Sequence, residues 1–288
     1  MQRRRTKKTA ASKHDARADT LALVKQLRQL RSRSGREQTQ TYYIEGARIV
    51  AQAIQAGADI TLGVIAPELV TGEHGQQTIT ALRGTGAPIA ELDADAFNGI
   101  SFKENLQGIG AVIRFRETAL GEGVTTKNAT GGWLALDNVG NPGNLGAIMR
   151  TCDAVGCSGL ILLGDTVDPY HPAAVRASMG SLFALQIVRA NFNEFVEWKH
   201  THSAVVVGTT PDVQQEYRDV VYPNAYVLLM GSERLGLSIE QQHACDILVR
   251  IPMVGTCDSL NLGVATSIIL YEAFHQQRQK QASQADVD

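Results

Sequence analysis

The sequence predicts an α/β protein of two domains, with a parallel sheet in the larger C-terminal domain. Three observations predict this fold class. Segments with the apolar spacing of helices alternate with short strand-like runs through most of the 288 residues. Two of those runs, residues 133–136 and 226–230, are apolar throughout, which is typical of parallel strands buried on both faces. Residues 117–131, rich in Gly and Thr, have the composition of a linker.

These features divide the chain into four parts. We predict a disordered basic arm over residues 1–19, a small N-terminal domain over 20–116, a linker over 117–131 and a C-terminal domain over 132–288. The hydrophobic fraction of 44% is sufficient for two real cores. No apolar run approaches the ~18 residues of a membrane helix. The N-terminus lacks the apolar core of a secretory signal, so we expect a cytoplasmic protein without a membrane partner.

The cysteines and charges narrow the class further. The four cysteines contain no C-x-x-C pair and no zinc-finger spacing, so we expect reduced thiols and no metal. Residues 1–36 hold 12 Lys and Arg against two Asp, a net charge of +10, while the other residues carry 15 basic and 27 acidic side chains, a net charge of −12. A basic arm on an acidic body favours a nucleic-acid partner. A solvated tail that only aids solubility is the alternative.

The N-terminal domain shows a helix, a polar segment and then alternating elements. Thr20 is expected to cap a helix, and the basic residues 31–41 are predicted to form a loop that faces RNA. Residues 42–57 carry a broad apolar stripe that predicts a helix ending at Gly57. The remaining predicted elements are a strand over 60–66, a helix over 76–83, a strand over 89–92, a short helix over 94–99 and a strand over 109–115.

The C-terminal domain opens with WLALDNVGNPGNLGAIMRTCDAVG, residues 133–156, which predicts a strand, a glycine-rich turn and a helix. We expect Asn144 to be the N-cap, because its side-chain oxygen can accept a hydrogen bond from a free backbone N–H, and Gly156 to end the helix. A turn of this kind can anchor an anion, although an ordinary strand-to-helix connection has the same appearance. The glycines at 140, 143 and 146 do not follow the G-x-G-x-x-G order, which makes a dinucleotide site a weak hypothesis.

The rest of the domain continues the alternation. Ser238 is predicted to begin a helix, with Gln241 in the capping-box position. The other predicted elements are strands over 159–163, 183–188, 203–207, 226–230 and 247–251 and helices over 171–178, 193–200 and 260–279.

Three sequence clusters each follow a predicted strand, at the end where open α/β sheets place their ligands. They are NPGNLGAIMR (141–150), GSERLGLS (231–238) and IPMVGTCDSLNLGVATSIILYE (251–272). One such cluster alone is more often a turn, a strand terminator or a helix cap. In this order and spacing, the three clusters resemble the SpoU (TrmH-type) RNA ribose 2′-O-methyltransferases of the SPOUT superfamily. The resemblance covers residues 131–275 closely, and YYIEGARIVAQAIQAGADI (42–60) resembles the start of the family's small RNA-recognition domain, related to kink-turn-binding ribosomal proteins.

The resemblance implies a fold and a cofactor. The C-terminal segment would thread a trefoil knot, which topology rules derived from other folds disfavour. S-adenosylmethionine would bind among the knot loops, held by backbone groups of Gly231, Ile251 and Leu260, with Met253 and Ser259 nearby. The family's enzymes are homodimers that build the active site at the subunit interface, and no metal takes part.

The resemblance also implies a set of polar active-site positions. They are Asn144, Arg150, Glu233, Ser259 and Asn261. Because a guanidinium has a pKa above ~12, we expect Arg150 to bind an RNA phosphate and stabilise the emerging alkoxide rather than act as a base. The family proposal that a substrate phosphate activates this arginine as a base stays open. Asn144 and Asn261 would orient Arg150 and the ribose.

The sequence departs from the family pattern at two positions. Asn141 replaces an Asp before the proline, and Arg234 follows Glu233 where a glycine is common. The predicted activity is ribose 2′-O-methylation of RNA, with 23S ribosomal RNA as the favoured substrate and transfer RNA as the alternative. A non-catalytic RNA-binding or ribosome-assembly factor with the same fold is a further hypothesis, against which the intact set of polar positions argues.

Overall fold

The computed structural model describes residues 19–102, 105–121, 124 and 132–285. The chain divides into two compact units with the boundary between Phe115 and Arg116. The predicted disordered arm lies outside the described residues, apart from Asp19, and so does most of the predicted linker. Among the residues that are described, no helix is long and apolar enough to cross a membrane. No group of three or more His, Cys, Asp or Glu side chains in the same part of the chain could hold a metal ion.

The first unit is a four-stranded mixed sheet covered by helices. Its strands are β1 (Thr41–Glu45), β2 (Ile60–Ile65), β3 (Ile89–Glu91) and β4 (Ile109–Arg114), in the order β1-β4-β2-β3. Strand β4 is antiparallel to both of its neighbours, whereas β2 and β3 are parallel. The helices are α1 over residues 19–29, α2 (Arg33–Thr39), α3 (Ala47–Gln55), α4 (Gly72–Gly84) and α5 (Ala94–Ile100).

Two predictions for this unit are wrong. Residues 42–57 are a strand followed by a helix, because Tyr42, Tyr43 and Ile44 are buried and pair with β4. The two elements are separated by Gly46, whose φ of 117° lies outside the helical region. The predicted basic loop is helical from Arg33 to Thr39. Its N-cap is Ser32, whose side chain accepts a hydrogen bond from a backbone N–H.

The second unit is built on a seven-stranded sheet in which every pair of neighbours is parallel. The strands are β5 (Glu117–Thr118), β6 (Trp133–Asp137), β7 (Gly159–Leu163), β8 (Gln186–Ala190), β9 (Val206–Thr209), β10 (Val227–Met230) and β11 (Ile247–Val249). Their order is β11-β9-β10-β6-β7-β8-β5. Residues 117–118, predicted as linker, therefore belong to the sheet, where they pair with Ile187 and Val188.

Helices cover this sheet, as its continuously buried strands require. They are α6 (Pro142–Ala154), α7 (Pro172–Ser178), α8 (Phe192–His202), α9 (Ile239–His243) and α10 (Leu262–Ala285). The capping box predicted at Ser238 and Gln241 is confirmed. Helix α6 packs closely on α7, because a Cβ at Gly146 would lie 2.4 Å from the Cβ of Ala177. The ends of β6, β10 and β11 point the same way, so the three sequence clusters begin at one edge of the sheet.

Candidate active site

The turn between β6 and α6 places Asn144 inside the helix rather than at its cap. The N-cap is Asn141, whose Oδ1 accepts hydrogen bonds from the backbone N–H groups of Gly143 at 2.7 Å and Asn144 at 3.2 Å. The prediction of an Asn144 cap is therefore wrong. Pro142 explains the difference, because a proline has no N–H to satisfy and its fixed φ suits the first helical position. As Asn141 satisfies the helix end, the Asn144 side chain is available for other contacts.

A chain of side-chain hydrogen bonds joins the three sequence clusters. Asn261 Nδ2 donates to Asn144 Oδ1 at 3.1 Å, and Asn144 Nδ2 donates to Glu233 Oε1. Asn261 is itself fixed at the start of α10, where its Oδ1 accepts a 2.9 Å hydrogen bond from the Gly263 N–H. A carboxylate that accepts from an amide makes one of the stronger kinds of hydrogen bond. These hydrogen bonds therefore fix the orientation of both amide groups. The second carboxylate oxygen of Glu233 takes no part in them.

The second cluster forms a tight turn directly after β10. The Ser232 and Gly236 backbones exchange two hydrogen bonds, of 3.1 and 3.0 Å. A Cβ at Gly231 would lie 2.1 Å from the carbonyl carbon of Gly236, so only glycine fits there. This close approach of backbone to backbone places Glu233 at the tip of a fixed turn.

The second and third clusters enclose a pocket of about 340 Å³. Every residue predicted to bind the cofactor lines it: Gly231, Ile251, Met253, Ser259 and Leu260. Apolar side chains from β10 and α10 complete the wall. The volume and the mixture of apolar walls with a few polar groups are typical of a small-molecule site.

The backbone at this pocket also suits a ligand with hydrogen-bonding edges. Within the described part of the chain, no hydrogen bond is made by the backbone of Gly231, Ile251 or Leu260. Of these three residues Gly231 is buried, where backbone groups are nearly always paired, whereas Ile251 and Leu260 are partly exposed at the pocket wall. Backbone groups in these places can donate to or accept from the adenine edge of a nucleoside. The residues present therefore fit S-adenosylmethionine.

The family comparisons agree with this geometry. The model of the SpoU rRNA methylase family matches residues 133–271, and the model of the MRM3-like substrate-binding domain matches residues 22–111. An AdoMet-bound rRNA methyltransferase from Sinorhizobium meliloti is 35% identical, with a TM-score of 0.79 over 88% of this chain and 94% of that one. The chain belongs to the SpoU rRNA methylase family.

Two further relatives are similar over most of their length. The 23S rRNA (guanosine(2553)-2′-O)-methyltransferase RlmP of Bacillus subtilis is 29% identical over 248 residues, which span 86% of this chain and 94% of RlmP. The SpoU methyltransferase AviRb of Streptomyces viridochromogenes, solved in complex with AdoMet, is 27% identical, with a TM-score of 0.79 over 89% of this chain and 98% of AviRb. The predicted family, α/β fold class and enzyme class are confirmed. S-adenosylmethionine is confirmed as the cofactor of SpoU proteins with this fold.

Arg150, one of the predicted active-site residues, does not join the hydrogen bonds between Asn261, Asn144 and Glu233 within one copy of the protein. Arg150 lies six residues after Asn144 on α6, a rotation of about 120° and a rise of about 9 Å along the helix. Its side chain is exposed and makes no hydrogen bond or ion pair with any residue the structure describes. The structure therefore brings together Asn144, Glu233 and Asn261 and leaves Arg150 on a different face.

Sequence reasoning missed one wall of the pocket that the predicted cofactor-binding residues line. Thr209, Thr210 and Pro211 line it from the end of β9. The signal was present, because β9 is a parallel strand and its carboxyl end lies at the same edge as the three clusters. It was missed because the strand was predicted over 203–207 and runs over 206–209, which moves its end by two residues.

Proposed function

We propose that this protein is an S-adenosylmethionine-dependent RNA ribose 2′-O-methyltransferase that acts on 23S ribosomal RNA. The observation that carries the proposal is the chain from Asn261 through Asn144 to Glu233 at the edge of the cofactor pocket. A pocket alone would suit many ligands, and a polar chain alone would suit a structural role. Their meeting at one sheet edge supports methyl transfer, and the names of the relatives support 23S rRNA as the substrate.

The cofactor would supply an electrophilic methyl group, so the protein has to align a ribose hydroxyl of the RNA with it and provide for the proton that this hydroxyl loses. Gly231, Ile251 and Leu260 would hold the cofactor through their backbone groups, and Met253 and Ser259 would pack beside it. Asn144 and Asn261, whose directions are fixed by hydrogen bonds, would orient the ribose. In our proposal no metal takes part.

Arg150 would complete this site in a homodimer. An arginine that is exposed and unpaired in a body of net negative charge is suited to bind a phosphate bidentately and to stabilise an alkoxide. Because it lies away from Asn144 on its own helix, we infer that it serves the site of a second copy. Val264 and Tyr271, seven residues apart on α10, are 48% and 51% exposed and give that helix an apolar strip that a second copy could cover.

The other expectations enter the same proposal. The trefoil knot stays a prediction, as do the role of the basic arm and, apart from the sheet residues 117–118, the role of the predicted 117–131 linker. We propose that residues 20–116 are an RNA-recognition domain, in line with their match to a substrate-binding domain model. We also propose a cytoplasmic location, where ribosomal RNA is available.

Replacement of Arg150 by Ala tests the proposal. We expect methylation to be abolished while RNA binding, measured by gel shift, persists, because one phosphate contact among many is removed. Arg218→Ala is the matched control, since it removes another exposed arginine, which lies over the ring of Tyr217. Unchanged turnover in Arg150→Ala would rule out the role assigned to this arginine.

The substrate is tested in cells. Ribose methylation is mapped across total RNA with and without the gene, and loss of one 2′-O-methyl group in 23S rRNA is the expected result. If the lost 2′-O-methyl group lies in transfer RNA instead, transfer RNA is the substrate and the proposed reaction still stands. Absence of any lost site, together with RNA binding, would favour the non-catalytic factor.

A further inference from the structure

The turn from Ser232 to Gly236 is rigid and carries three exposed side chains, Glu233, Arg234 and Leu235. Beyond the two backbone hydrogen bonds between its ends, the N–H of Leu235 donates to Ser232 Oγ at 3.2 Å. Gly236 closes the turn with a φ of +64°, a conformation that favours glycine. Arg234 and Leu235 are therefore presented in a fixed place rather than on a mobile loop.

Leu235 is 89% exposed, and Arg234 beside it is exposed and has no partner among the described residues. A single exposed leucine is common on protein surfaces and needs no explanation by itself. The position of this one distinguishes it, because it adjoins Glu233, the end of the hydrogen-bonded amide chain.

The turn separates two pockets. On one side is the cofactor pocket of about 340 Å³, and on the other an open pocket of about 840 Å³. The second pocket is walled by residues 138 and 140–142 opposite the turn. Residues 232–235 line both pockets, so a group in the open pocket lies next to Glu233 and close to the cofactor.

Methyl transfer requires the ribose oxygen to come within ~3–3.5 Å of the methyl carbon, in line with the bond that breaks. A nucleotide held in a continuous stack cannot enter a pocket walled on two sides. Proteins that read RNA bases specifically meet them unstacked, and apolar side chains inserted between bases are a known means of unstacking. An arginine next to such a side chain can bind the flanking phosphate.

We propose that the Ser232–Gly236 turn is a wedge that draws the target nucleotide out of its stack. Leu235 packs against the base next to the target base and replaces the stacking contact that is lost. Arg234 binds an adjacent phosphate, and the target nucleotide occupies the 840 Å³ pocket beside Glu233. The inference rests on the proposed methyltransferase function and adds that the substrate is a nucleotide that is stacked before it binds.

Leu235→Ala tests the wedge on two substrates: a folded 23S rRNA transcript and a short single-stranded RNA with the same methylation site. We expect kcat/KM to fall about tenfold on the folded transcript, because one base contact is lost, and to change less than twofold on the short RNA. Leu235→Met should keep the wild-type rate on both. Ile239→Ala, which removes an apolar side chain that is 73% exposed four residues further on, is the matched control and should behave as wild type.

Two further measurements support or overturn the role. Leu235 lies at the rim of the cofactor pocket, but its side chain is 89% exposed, so the cofactor Kd of Leu235→Ala, measured by calorimetry, should stay within about twofold of the wild type; a larger loss of affinity would show that Leu235 covers the cofactor instead. Arg234→Ala should reduce the slope of log K for RNA binding against log salt concentration by about the amount expected for one phosphate contact. An unchanged slope would remove Arg234 from the wedge.

The remaining outcomes are equally informative. An equal loss on both RNA substrates, no loss on either, or a change in oligomeric state of Leu235→Ala in ultracentrifugation would each overturn the wedge. The last would place Leu235 between copies of the chain. If the wild-type protein methylates neither RNA, the proposed function fails rather than the wedge.

Discussion

Replacement of Gly231 by Ala is expected to disable the site through a backbone clash. A Cβ at this position would lie 2.1 Å from the carbonyl carbon of Gly236, 2.2 Å from its oxygen and 2.3 Å from the nitrogen of Leu237. Ordinary van der Waals contact begins at 3.4 Å, so each overlap exceeds 1 Å. All three atoms belong to the backbone and cannot rotate away. The turn that carries Glu233 therefore has to move by about 1 Å.

The magnitude follows from that displacement. Overpacking of this kind costs about 1–3 kcal/mol of stability. A shift of about 1 Å near the reacting atoms can lower the rate on the order of a hundredfold. We expect Gly231→Ala to bind S-adenosylmethionine weakly in calorimetry and to lose about a hundredfold in kcat/KM.

The control for this prediction is Gly84→Ala. A Cβ at Gly84 meets nothing within 4 Å, so the change should leave stability and methylation near wild type. Wild-type cofactor affinity and rate in Gly231→Ala would refute the reasoning, because they would show that the turn after β10 tolerates displacement and does not position the site.

The remaining predictions concern the hydrogen-bonded chain and the thiols. Asn144→Ala and Asn261→Ala should each lower kcat. The kcat of the double variant should be only slightly below that of the less active single variant, because the two amides form a hydrogen bond with each other. If the two losses of transition-state free energy simply add, the two residues do not act together. Asn261→Ala should also destabilise the protein by about 1 kcal/mol in thermal unfolding, since Asn261 caps α10. A thiol reagent at pH 8 should label Cys257 alone among the four cysteines, as read by mass spectrometry: Cys257 is exposed, whereas burial raises the pKa of Cys245 to about 12 and keeps it protonated. Rapid labelling of a second thiol would contradict the burial.

Local patterns in the sequence were sufficient for much of the fold. The capping box at Ser238 and Gln241 depends on residues three apart, and both hydrogen bonds are present. The apolar runs at 159–163 and 226–230 needed no partner to be recognised as buried strands. Residues 42–57 show where such reasoning fails. Their apolar spacing also fits a helix, and the strand was decided by pairing with β4, more than 60 residues away.

The sequence by itself determined the family and the reaction class, and it supplied the residues that we propose for the site. It could do so because three motifs keep their order and spacing along the chain. Only the tertiary structure decided how those residues are used: Asn144 meets Glu233 and Asn261, which are 89 and 117 positions away, while Arg150 points elsewhere. The physical reason is that caps and periodicities depend on neighbours within a few residues. Contacts between distant loops depend instead on the order and direction of the strands that carry them.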